Sequence, residues 1–112
     1  EIKLSPGEQQ LDVLHVDDAA AALLAAERAL EGAPAGTLRE WCASSGERRS
    51  LRALVELFTV ATGLAPRANF GAKPYRDREI MKPWIGETVP GWRPKIALKD
   101  GLRQTYGTAA RT

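Results

Sequence analysis

The arrangement of apolar and polar residues along the first part of the chain predicts a strand followed by a helix. Residues 10–16 alternate loosely and are rich in branched side chains, which favours a short strand. Residues 19–30 are an alanine-rich run of high helix propensity, and a glycine and a proline end it shortly afterwards. Asp17 or Asp18 would accept hydrogen bonds from the free amides of the first helical turn.

The helix predicted over residues 19–30 carries apolar side chains on every face. A helix that borders solvent on one side shows one apolar stripe and a polar back. This segment reads AAAALLAAERAL, in which Glu27 and Arg28 are the only charged residues. The rest of the chain is too short to surround it completely, so we expect a neighbour outside this chain to cover one face.

The next segment predicts a second strand and a second helix. Residues 37–43 favour a strand that ends in a Ser-Ser-Gly turn. Ser50 is the predicted N-cap of a helix over residues 51–62, and Gly63 ends it. Apolar residues recur in this helix at three- and four-residue intervals and predict one buried stripe. The stripe consists of Leu51, Leu54, Val55 and Phe58.

The last part of the chain predicts little regular structure before a final helix. Residues 67–70 favour a short third strand. Residues 71–94 are rich in proline and glycine and hold two tryptophans, which predicts a long ordered loop of the kind that is often functional. A helix over residues 97–106 would turn Leu98, Leu102 and Tyr106 inward. The predicted fold class is mixed α/β, with about three helices and two or three short strands.

Composition and charge exclude several classes of function. The 112 residues suffice for one domain, and 16 Lys and Arg are nearly balanced by 14 Asp and Glu. Because the basic residues are scattered, we expect no nucleic-acid partner. No apolar run approaches the ~20 residues that span a bilayer, so we expect no membrane partner. The single cysteine, Cys42, is interpreted as a small buried residue in a cytoplasmic protein. Because His15 is the only histidine that could join it as a ligand, a zinc site is not expected.

Several segments follow, in order, the motifs of one enzyme family. Residues 11–20 read LDVLHVDDAA, residues 42–46 read CASSG ahead of SLRAL at 50–54, and residues 91–102 read GWRPKIALKDGL. These segments resemble the strand-to-helix junction, the glycine turn and the closing motif of the extended short-chain dehydrogenase/reductase family of nucleotide-sugar enzymes. Residues 74–81 are most similar to the branch that acts on CDP- or dTDP-deoxysugars.

The resemblance implies an enzyme in two parts. In this family an amino-terminal Rossmann domain binds NAD or NADP and carries a Tyr-x-x-x-Lys pair, and a smaller carboxyl-terminal part closes over a nucleotide-diphosphate sugar. This sequence has no Gly-x-x-Gly-x-x-Gly loop, and neither Tyr75 nor Tyr106 has lysine four positions on. Residues 1–112 are therefore expected to be the substrate-binding portion of an NAD(P)-dependent epimerase, dehydratase or reductase. Alone, without most of the Rossmann domain, they are expected to be inactive.

The resemblance also implies which residues bind the substrate. Arg76 and Glu79 match an R-x-x-[DE] pair in which the arginine contacts the diphosphate and the acid contacts ribose hydroxyls. The alternative is that Asp77, Arg78 and Glu79 form solvated surface ion pairs of little energetic value. The family often has a second phosphate-binding arginine where Leu11 stands, so either Arg67 or another base replaces it, or the phosphates are held more weakly. Trp84 either stacks on a nucleobase or sugar or fills core.

The remaining motif residues are interpreted as structural, and a different function stays open. His15 is expected to be a hydrogen-bonding group, Asp18 a helix cap, and Trp92 and Pro94 packing residues. No catalytic or metal-binding residue is expected in this chain. The alternative function is a non-catalytic binding or assembly module, in which the apolar helix pairs with a partner or forms a homodimer.

Overall fold

The computed structural model describes residues 1–107 and has the predicted mixed α/β fold. The elements are β1 (Ile2–Leu4), β2 (Gln10–Leu11), α1 (Val16–Leu30), β3 (Arg49–Ser50), α2 (Leu51–Thr62), β4 (Ala68–Phe70) and α3 (Leu98–Tyr106). The three predicted helices and the long irregular loop over residues 71–94 are confirmed. No helix of the described residues is long and apolar enough to cross a bilayer.

The four short strands form two separate two-stranded sheets. β1 pairs in parallel with β4, so that Ile2 lies opposite Ala68. β2 pairs antiparallel with β3, so that Gln10 lies opposite Ser50. The third predicted strand is confirmed as β4, whereas β1 was not predicted because three residues are too few to show an alternating pattern.

Two strand predictions need correction. Only the first two residues of the strand predicted over residues 10–16 are in a sheet, as β2. The strand predicted over residues 37–43 is wrong, because its one regular contact is an isolated bridge between Cys42 and Thr88. A strand requires a partner edge to hydrogen-bond along its length. The described residues offer this segment no such edge beyond the bridge.

Helix α1 begins three residues earlier than predicted because His15 caps it. The Nδ1 atom of His15 accepts the backbone N–H of Asp17 at 3.0 Å. The hydrogen-bonding role of His15 is thus confirmed, whereas the prediction that Asp17 or Asp18 caps this helix is wrong. Asp18 makes its contacts elsewhere in the fold.

Asp18 joins the start of α1 to the segment that leads into α3. Its side chain is buried, and its carboxylate accepts the backbone N–H groups of residues 95 and 96 at 2.9 to 3.1 Å. Trp92 Nε1 donates to the carbonyl oxygen of Asp18 at 3.0 Å. The His15 ring lies so close to Gly101 that a Cβ there would come within 2.9 Å of it. These contacts fix the two helices against each other.

Helix α2 has the predicted ends and the predicted amphipathic pattern. The Ser50 hydroxyl accepts the N–H of Ala53 at 3.1 Å, and Gly63 ends the helix in the left-handed conformation with φ 74°. The four residues of the predicted apolar stripe are half-buried. The opposite stripe is exposed and consists of Arg52, Glu56 and Val60.

Helices α2 and α3 pack on each other. The rings of Phe58 and Tyr106 meet edge to face with centroids 5.3 Å apart, and Arg103 Nε donates to the Ala61 carbonyl oxygen at 3.0 Å. Leu98 and Leu102 are half-buried, as predicted. Tyr106 contacts Phe58 but stays 58% exposed, so its predicted inward orientation is only partly realised.

The fold is a thin slab with little core. Its principal extents are 53 × 39 × 16 Å, and its radius of gyration is 17.2 Å. A compact domain of this length would have a radius of gyration of about 13 Å. The buried apolar residues of the described part are Ala22, Ala61 and Val89. On α1, Leu23 is 75% exposed and Leu24 is 55% exposed. The expected uncovered helix face is present, and the neighbour that covers it stays a prediction.

Candidate functional site

A cavity of about 690 Å³, called the main cavity below, lies between β2 and the long loop. One wall is the chain from Gln9 to Val13. The other wall consists of Arg76, Arg78, Glu79, Ile80, Pro83 and Trp84. The two walls are tied together by the backbone, because the Gln10 N–H donates to the Met81 carbonyl oxygen at 2.8 Å. Three of the four predicted site residues, Arg76, Glu79 and Trp84, therefore lie around one cavity.

Arg76 and Glu79 form the two ends of a single backbone turn. The Glu79 N–H donates to the Arg76 carbonyl oxygen at 3.0 Å, and the side chains form an ion pair with Nη2 and Oε2 3.3 Å apart. The Arg76 side chain is 87% exposed, whereas that of Glu79 is only 13% exposed. The carboxylate is held inside the fold and the guanidinium reaches into solvent. The two charges of this pair therefore differ in their solvation, since only the guanidinium lies in water.

Trp84 presents an aromatic surface rather than filling core. It is 61% exposed, so the interpretation of this residue as core is wrong. A Cβ at Gly86 would come within 2.3 Å of the indole, which shows how closely the ring lies over that glycine. The carbonyl oxygen of Trp84 lies 3.8 Å from Sγ of the half-buried Cys42. The indole is thereby positioned on the cavity wall with a large free surface.

The structure does not bring Arg67 to the main cavity. Arg67 is exposed just before β4, where its carbonyl oxygen accepts the Ile2 N–H at 2.8 Å. A different arginine, Arg78, lines the cavity together with Leu11. Sequence reasoning missed Arg78, because the run from Asp77 to Glu79 has the composition of a solvated charged surface. The turn between Arg76 and Glu79 places Arg78 on the cavity wall and Asp77 away from it, and the composition of the sequence does not show this difference.

Asp12 lies on the cavity wall and holds the Ser-Ser-Gly turn in place. Its carboxylate accepts hydrogen bonds from the Ser44 hydroxyl and, at 2.9 Å, from the Ser45 N–H. Burial raises the pKa of Asp12, but the hydrogen bonds from these serines and the charge of Arg48 outweigh it and hold the pKa below its ordinary value. Asp12 is therefore ionised at neutral pH.

The lowered pKa of Asp12 predicts a defined loss of stability in acid. Asp12→Asn should reduce the free energy of unfolding of the intact protein at about pH 7, since a depressed carboxyl pKa stabilises the fold above the unfolded value. The difference in free energy of unfolding between the two proteins should narrow as the pH falls toward about 3, because Asp12 of the unmodified protein then becomes protonated in the folded as well as the unfolded state. Urea denaturation at both pH values measures it, with Asp17→Asn at an exposed carboxylate as the control. A gap that does not change with pH would contradict the assignment.

Solved structures of nucleotide-sugar enzymes share this fold. One is UDP-glucose-4-epimerase from Stenotrophomonas maltophila with bound NAD and formylated UDP-arabinopyranose, at a TM-score of 0.76, 22% identity, and coverage of 95% of this chain and 34% of its own. RMD from Pseudomonas aeruginosa, complexed with NADPH, has a TM-score of 0.64 and 22% sequence identity, and the match covers 99% of this chain and 36% of RMD. UDP-glucuronic acid 4-epimerase from Bacillus cereus, in complex with NAD, has a TM-score of 0.62 and 21% sequence identity, and the match covers 96% of this chain and 35% of the epimerase.

These comparisons establish the fold. It is the mixed α/β arrangement found in NAD-dependent nucleotide-sugar epimerases and related enzymes, in agreement with the family that the sequence resembles. The chain spans about a third of the length of each of these three solved structures. No protein-family model matches the sequence, and no curated protein does.

Proposed function

We propose that this chain is the nucleotide-sugar-binding, carboxyl-terminal portion of an NAD(P)-dependent epimerase, dehydratase or reductase of the extended short-chain dehydrogenase/reductase family. The fold likeness to enzymes solved with NAD, NADPH and a UDP-sugar supports it, as do the sequence motifs. In this proposal NAD or NADP is bound by a Rossmann domain outside these residues, and the enzyme works in the cytoplasm.

The observation that carries the proposal is the grouping of three complementary side chains around the main cavity. The guanidinium fork of Arg76 matches two phosphate oxygens, the carboxylate of Glu79 accepts from neighbouring sugar hydroxyls, and the indole of Trp84 offers a face to a nucleobase or sugar ring. A cavity of about 690 Å³ is within the range of small-molecule binding sites. A nucleotide-diphosphate sugar carries all three of the chemical groups that these side chains recognise.

In the ion pair the guanidinium of Arg76 contacts Glu79 through Nη2, so its other N–H groups stay available to a diphosphate. A diphosphate competes with the carboxylate for the guanidinium, and the exposed Arg76 side chain is free to turn toward it. Glu79 keeps its largely buried position, and its carboxylate accepts hydrogen bonds from sugar hydroxyls where it had accepted one from Arg76. The pair is therefore a preformed binding element that holds both groups near the cavity until substrate arrives.

Arg76→Ala is expected to weaken binding of nucleoside diphosphates to the intact protein by about tenfold. This is the loss expected for one charge-assisted hydrogen-bonding pair of about 1.5 kcal/mol at an exposed site. Calorimetric titration with CDP, UDP and dTDP measures the effect. Arg39→Ala is the matched control, because Arg39 is exposed and does not line the cavity.

Two results would change this assignment. Unchanged affinity in Arg76→Ala would remove Arg76 from the site. A loss in Arg67→Ala instead would move the phosphate contact to the arginine that sequence reasoning offered as a replacement. Neither result depends on which nucleotide the protein prefers.

The second candidate function, a non-catalytic binding or assembly module, is favoured by the exposed apolar face of α1. It predicts an intact protein that binds neither NAD nor NADP. Fluorescence titration of the intact protein with NADH and NADPH separates the two functions, because cofactor binding is required by the enzyme and not by the module.

A further inference from the structure

The charges around the main cavity leave one cation without a partner. Four charged residues line it: Asp12, Arg76, Arg78 and Glu79. The carboxylate of Asp12 is occupied by the turn at residues 44–45, and Glu79 is paired with Arg76. Arg78 forms no ion pair within residues 1–107. The positive charge available to an incoming anion therefore resides mainly on Arg78.

The turn between Arg76 and Glu79 explains why Arg78 faces the cavity. The Glu79 N–H to Arg76 carbonyl hydrogen bond makes Asp77 and Arg78 the two central residues of a β-turn. Arg78 lines the cavity and Asp77 does not. The turn thus places a cation on the cavity side and keeps the neighbouring anion away from it.

We propose that Arg78 is a second phosphate-binding residue and that, together with Arg76, it makes the site selective for a diphosphate over a monophosphate. This inference rests on the proposed function. A diphosphate carries at least two negative charges on adjacent phosphoryl groups, and the charge of Arg76 is already partly neutralised by its ion pair with Glu79. Two guanidinium groups on one turn can contact the two phosphoryl groups separately.

Leu11 gives a way to test this role independently of the turn. It lies in β2 on the opposite wall of the same cavity, so a guanidinium placed there enters the cavity from the other side. If Arg78 acts through its charge, the variant Leu11→Arg should replace it. If Arg78 only stabilises the turn, an arginine on β2 cannot compensate for its loss.

The experiment is calorimetric titration of the intact protein with whichever of CDP, UDP and dTDP it binds and with the matching monophosphate. Arg78→Ala is expected to weaken diphosphate binding by about tenfold and monophosphate binding much less, and to flatten the salt dependence. The double variant Leu11→Arg/Arg78→Ala should regain most of the affinity. Asp77→Ala, the matched control in the same turn, should leave the affinity unchanged.

Three results overturn the inference. If Arg78→Ala binds as tightly as the unmodified protein while Arg76→Ala loses affinity, the diphosphate is held by Arg76 alone. If Arg78→Ala loses affinity equally for both ligands and Leu11→Arg restores nothing, Arg78 is a structural part of the turn. If the unmodified protein binds none of the three diphosphates, the proposed function fails and this inference fails with it.

Discussion

Replacing Asp18 by alanine is expected to destabilise the intact protein by about 3 kcal/mol. Asp18 is only 4% exposed, and its carboxylate accepts the backbone N–H groups of residues 95 and 96. Removing the carboxylate leaves both amides without an acceptor in a partly buried place, and each unsatisfied group costs about 1–3 kcal/mol. The loss of these hydrogen bonds would also remove the link between α1 and the segment before α3.

Asp17→Ala is the matched control for this prediction. Asp17 lies in the same first helical turn, but its side chain is 77% exposed, so its removal should cost within about 0.5 kcal/mol. Asp18→Asn keeps one acceptor oxygen and should fall between the two. Urea denaturation of the three variants gives the free energies of unfolding. Equal stabilities of Asp18→Ala and Asp17→Ala would refute the structural role.

The residues that carry the family resemblance are mostly structural in this fold. His15 caps α1 and lies against Gly101, Asp18 binds the chain ahead of α3, and Trp92 donates to the Asp18 carbonyl oxygen. Motifs that are far apart in the sequence thus form one cluster where α1 meets α3. The sequence therefore indicated a fold more directly than it indicated a binding site.

Helices could be predicted because their signals are local. The ends of α2 follow from Ser50 and Gly63, and its buried side follows from the spacing of its apolar residues. Strands depend on partners that are distant in the chain. β1 pairs with β4 across more than sixty residues of sequence. Residues 37–43 have strand composition, but within residues 1–107 their one regular pairing is the bridge between Cys42 and Thr88.

Of the candidate site, the sequence could predict only the part that lies on the turn between Arg76 and Glu79. The spacing of Arg76 and Glu79 is a local signal, and in the structure these side chains form an ion pair. The wall opposite them is formed by β2, which reaches the loop through the hydrogen bond between Gln10 and Met81. Since that contact is long-range, no local pattern could show that Leu11 and Arg78 share a cavity.

Leu23→Asp in the intact protein is expected to reduce the free energy of unfolding by about 3 kcal/mol. In this chain Leu23 is 75% exposed and borders an apolar groove with Trp41 and Val89. A leucine that stays in water could be replaced at little cost. We expect a large cost because we propose that the Rossmann domain covers this face, so that the new carboxylate would be buried without a partner.

Val60→Asp is the matched control, because Val60 is a 66% exposed apolar residue on a helix, in the same stripe as Arg52 and Glu56. Its charged neighbours identify that stripe as a solvent-facing surface, so the change there should cost within about 0.5 kcal/mol. Equal effects of the two aspartates would mean that nothing covers α1 in the intact protein. The thin slab would then have to be stable with its apolar helix in water, which its few buried residues make physically difficult.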